Sequence, residues 1–109
     1  MGKASAEQEA VRRIGEMEPV LEECNEAIKS LSRALDHMDA LRDPMTRLFA
    51  YYGSEDWHSD RELDEQGRLP EGLKRGVLSE DLIYDAITDL RDAAFRMLEQ
   101  ATDILKNRI

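Results

Sequence analysis

The sequence predicts an all-α protein: a long antiparallel helical hairpin with a short, partly helical connector, completed to a bundle by an N-terminal arm or a second subunit. Three observations predict it. Apolar residues recur every seven positions through the first half of the chain. A second amphipathic run opens on a helix N-cap after Leu78. No segment alternates apolar and polar residues as a half-buried strand requires.

The first element is set by two interleaved rows. One is Ile14, Leu21, Ile28, Leu35 and Phe49, interrupted only by Arg42; the other is Met17, Cys24, Leu31, Met38, Met45 and Tyr52. Together they form the a/d seam of a heptad pattern. Val20, Ala27, Ala34, Leu41 and Leu48 add a flanking row, so the stripe is wide enough to touch more than one neighbour. Pro19 and Pro44 each remove a backbone donor and crowd the preceding turn, which predicts a kink or break near each. Residues 5–18 therefore read as an N-terminal arm and 20–52 as the first long helix, kinked at Pro44. Gly53 supplies the stop and Ser54 a fresh N-cap.

Residues 54–78 read as a structured connector. "SEDWHSDRELDEQ" forms a short acidic helix ended by Gly67. "LPEGLKRG" forms a single turn with Pro70 at its start and Gly76 as its stop. The second long helix spans 79–108. Ser79 is its N-cap, Glu80 and Asp81 place negative charge at the favourable end of the helix dipole, and Leu78 and Ile83 are spaced for a hydrophobic staple. Its seam is Ile83, Ile87, Leu90, Ala94, Met97, Ala101 and Ile104, with a second row of Phe95, Leu98, Leu105 and Ile109 to one side.

The chain is one domain by length. Its 24 acidic against 15 basic residues give a net charge of −9, which argues against nucleic acid and anionic membrane as partners. Cys24 stands alone, so neither an intramolecular disulfide nor a cysteine zinc site is expected, in keeping with a reducing cytoplasm. "MGKASAEQEA" lacks the apolar core of a signal peptide, and Ala6 breaks the myristoylation pattern. No apolar run reaches the length of a membrane span. A cytoplasmic protein is the expectation.

Chemistry finds little support. An EF-hand frame from Asp60 places Glu65 where glycine is needed, and a frame from Glu62 ends on Leu73 instead of glutamate. His58 has Glu55 and Glu62 at helical spacing, enough for a weak two- or three-ligand site, though surface ion pairing around Arg61 is the simpler account. His37 is a half-exposed surface residue, and Cys24 sits on the seam as inert packing. Phosphate-loop, nucleophile and paired-histidine motifs are missing. The reading assigns no catalytic residue, no metal ligand and no cofactor.

The aromatic residues are more informative. Phe49, Tyr51, Tyr52, Trp57 and Tyr84 all fall at the connector end of a hairpin. They are expected to close it as a mini-core, with Trp57 or Leu63 packed on Tyr52 and Tyr84. A pocket is the alternative, with Tyr51, Tyr52, Trp57, His58, Lys74, Arg75 and Tyr84 as candidates. Lys74 and Arg75 are expected either to bond carbonyls of their own turn or to pair with Asp81 and Asp85.

"YYGSEDW" followed by "LDEQGRLPEGLKRGVLSEDLIYD" resembles the small bacterial family catalogued as domain of unknown function 4298, from about Ile14 to Leu98. Pro19, Pro44 and the N-terminal extension depart from its pattern. The resemblance implies a small helical bacterial protein and assigns no residue a role.

The function read from these features is a non-enzymatic helical interaction or self-association module. The alternative is a small-molecule or metal-binding protein, enzymes included, with its site at the aromatic end. An acidic mimic of nucleic acid has only the charge in its favour. The second helix is too short to pair with residues before Glu22, so the arm folds back or exchanges with another chain. A homodimer is expected, with Val11, Ile14, Met17, Phe95, Leu98 and Leu105 as the candidate self-association residues.

Overall fold

The computed structural model describes residues 2–107. It is all-α: three α-helices, α1 (Gly2–Tyr51), α2 (Glu55–Glu65) and α3 (Glu80–Lys106), with a short 3-10 turn at Gly76–Leu78 and no strand among the described residues. The order is a long helix, a partly helical connector and a second long helix, as the sequence predicts. Arg108 and Ile109, which the expected second helix and its outer row included, lie outside the described residues.

The chain divides into two units, Met1–Arg42 and Asp43–Ile109. The described residues of the first all belong to α1, whose last turns fall in the second. Heptad periodicity and the scarcity of glycine or β-branched runs favour the helix, and i,i+4 pairs such as Arg12 to Glu16 at 3.3 Å support it weakly on the surface. Its apolar stripe is exposed, with Val11 70%, Ile14 61% and Ile28 62% accessible. A lone helix has no interior of its own.

The α-helix runs through Pro19 and Pro44 without a break, so residues 5–18 and 20–51 belong to one element. The reason is local. The carbonyls that lose a donor belong to Gly15 and Ala40, four residues earlier, where the side chains are smallest and the residues are exposed. Water can take the place of each missing N–H.

The second unit holds the end of α1, the connector and α3. Gly53 at φ 79° ends α1, in the left-handed region that residues with a Cβ disfavour. Ser54 caps α2: its hydroxyl accepts from the Trp57 amide at 3.2 Å and donates to the Tyr51 carbonyl at 2.6 Å. Gly67 at φ 68° lies just past the end of α2. Beyond it, a turn closes between the Leu73 amide and the Pro70 carbonyl at 3.2 Å.

Gly76 differs from expectation. It opens the 3-10 turn Gly76–Leu78, and Ser79 ends that turn while capping α3 through the Leu82 amide at 3.3 Å. The Leu78 and Ser79 amides reach back to the Arg75 and Gly76 carbonyls, which carries the chain one turn further before α3 begins.

The core of this unit sits at the connector. Trp57 and Ile83 are its buried apolar residues, at 1% and 5% accessible. Leu48, Phe49, Tyr51, Tyr52, Leu63, Leu69 and Leu78 are half-buried. Along α3 burial fades with distance from the connector: Ile83 is buried, Ile87 and Leu90 are half-buried, and residues 91–107 are exposed.

Candidate functional site

The connector is held by four ties, each between residues well separated in sequence. Tyr51, on the last turn of α1, donates its hydroxyl to an Asp60 carboxylate oxygen 2.6 Å away on α2. That hydrogen bond first, then burial, then the negative charges of Asp60 and Asp56, push the phenol pKa from 10.0 up to about 12. A phenol so held is a poor source of phenolate. Its geometry is that of a fastener rather than of an acid or nucleophile.

Trp57 makes the second tie. The Ser54 cap places it in the first turn of α2, and its indole Nε1 donates to the Val77 carbonyl at 2.9 Å. The ring meets Tyr52 edge-on, with centroids 5.2 Å apart and planes at 69°. His58 lies edge-on at 5.0 Å, and the Arg61 guanidinium sits 4.8 Å from the ring centroid. With its N–H satisfied and its surface covered, Trp57 offers no open face to a ligand.

Arg61 and Arg75 supply the other two. Arg61 reaches from α2 to Glu80 at the start of α3, at 3.8 Å. Arg75 pairs with Asp64 at 2.5 Å, donates to the Leu73 carbonyl at 3.3 Å and also donates to the Pro70 carbonyl. One guanidinium thus closes the turn after α2 and anchors it to the helix.

The sequence candidates for this end separate into two groups. Tyr52 and Trp57 meet, with the exposed His58 against Trp57, while Tyr51 and Arg75 are each tied to α2 through a different carboxylate, Asp60 and Asp64. Lys74 is exposed; Trp57 packs on Tyr52 as expected, whereas Tyr84, at 64% accessible, stays outside the buried cluster. Tyr84 follows Ile83, and at about 100° per residue a buried Ile83 turns its successor outward. Arg75 bonds carbonyls of its own turn as one expectation had it, but its acidic partner is Asp64 rather than Asp81 or Asp85. Asp60, Asp64 and the Val77 carbonyl were not anticipated in these roles. Their partners lie 9, 11 and 20 residues away, beyond any local spacing rule.

Two shallow clefts flank the cluster. One is lined by Pro44, Arg47, Leu48 and Tyr51 at the end of α1, the other by His58, Arg61, Glu62 and Glu65 on α2. Among the described residues no group of three or more His, Cys, Asp or Glu side chains is placed to hold a metal ion, His58 with Glu55 and Glu62 included. No described helix is long and apolar enough to cross a membrane.

The candidate self-association residues are all exposed. Val11, Ile14 and Met17 lie along the N-terminal half of α1, and Phe95, Leu98 and Leu105 along the C-terminal half of α3. No curated protein and no solved structure matches the chain. A family model does match, over residues 14–100, a span that takes in the connector, all four of its ties and most of both long helices. The chain belongs to the family described as Domain of unknown function (DUF4298).

Proposed function

We propose that the protein is a non-enzymatic helical association module, in which the connector is a fixed structural joint and the long helices present the working surface. The observation that carries this is a mismatch of length. α1 has 50 residues and α3 has 27. At about 1.5 Å per residue that leaves roughly 35 Å of α1 that α3 cannot cover in any placement. The apolar stripe of α1 continues over that surplus through Leu21, Met17, Ile14 and Val11, each more than half exposed. An apolar row of this regularity is stabilised by another helix.

The connector supports the same reading from the other direction. Its half-buried Tyr51, Asp60, Arg61, Asp64 and Arg75 are engaged in internal ties, its indole is covered, and the clefts beside it are shallow and open. These are the features of a joint.

Thiol reactivity at the stripe tests the proposal. In a Cys24→Ala background, Ile14→Cys places a single thiol on the surplus. Its reaction with a maleimide is followed together with mass over a range of protein concentrations. Protection that grows with a species heavier than the 12.5 kDa chain supports the proposal. Protection in a species of chain mass shows cover from within, and full reactivity in every sample shows no cover at all; either result overturns it.

A further inference from the structure

We draw no further inference here: the strongest candidate, the exposed surface patch of Phe95, Leu98 and Leu105 on the C-terminal half of α3, carries nothing, because nothing in the structure shows what covers it.

Discussion

The indole N–H of Trp57 donates to the carbonyl of Val77 across 2.9 Å, joining α2 to the 3-10 turn that precedes α3. They stand 20 positions apart in the chain, so this one bond reports whether the connector has closed. Trp57→Phe keeps most of the packing but leaves the Val77 carbonyl without its donor. The expected loss is about 1–3 kcal/mol, read from the urea midpoint. Trp57→Ala, which also opens a cavity, should lose about 3–5 kcal/mol. If Trp57→Phe matched the wild type, the tie would be ornamental to stability.

Tyr51 gives the protein an alkaline weakness. Its folded-state pKa stands near 12 against an ordinary value of 10.0, so above pH 10 the folded chain holds a proton that the unfolded chain has released. The stabilisation is complete below pH 10 and is lost as pH rises through 12. Stability measured from pH 8.5 to 11.5 should fall more steeply for the wild type than for Tyr51→Phe, which has no phenol there to titrate. Equal slopes would mean that the Asp60 hydrogen bond is not formed in solution.

Arg75 and Asp64 are each 30% exposed and 2.5 Å apart, which places their pairing between a surface ion pair and a buried one. A double-mutant cycle with Arg75→Ala and Asp64→Ala should give a coupling of about 0.5–1 kcal/mol. Arg75→Ala alone should lose more than Asp64→Ala, because it also abandons the Leu73 and Pro70 carbonyls. The reverse order would count against the carbonyl bonds.

Burial along α3 predicts a gradient of mutational cost. Ile83→Ala, at a residue 5% accessible, should lose about 2–4 kcal/mol. Leu90→Ala, half-buried, should lose less. Cys24→Ala, on the exposed face of α1, should stay within about 0.5 kcal/mol. Urea midpoints for the three variants test the order, which equal losses would contradict.

Each copy carries a net charge of −9, so bringing two together is opposed by long-range repulsion that salt screens. Any self-association should therefore strengthen between 0.02 and 0.5 M salt, conditions set so that the Debye length falls from about 20 Å to about 4 Å. Weakening with salt would instead indicate an interface dominated by opposite charges.

The parts of this fold that could be read in advance are those decided within a few residues. Gly53, Ser54, Gly67 and Ser79 mark the ends and caps of helices because the chemistry of a cap involves only its own turn. The heptad rows of α1 are equally local. The four ties are another matter. Asp60 and Asp64 are two among many carboxylates in the connector, and nothing nearby distinguishes the one that meets Tyr51 from the one that meets Arg75. That choice depends on how the chain returns from α2 to α3. Tyr84 was misplaced for a related reason: being near the end of a hairpin fixes a residue's height along the helix but not its direction. The expected interruption at the prolines overlooked Gly15 and Ala40, whose small size lets the helix pass.

The chain has a single tryptophan, and it is the most deeply covered residue of the connector, at 1% accessible. Its fluorescence is consequently a built-in probe of that joint alone. Circular dichroism, by contrast, is dominated by α1 and α3, which contain most of the helical residues. The two signals watch different parts of one molecule. Emission from a closed connector should lie to the blue of free indole and resist quenching by iodide. Its red shift on heating, set against the loss of ellipticity, will show whether the joint opens with the long helices or outlasts them.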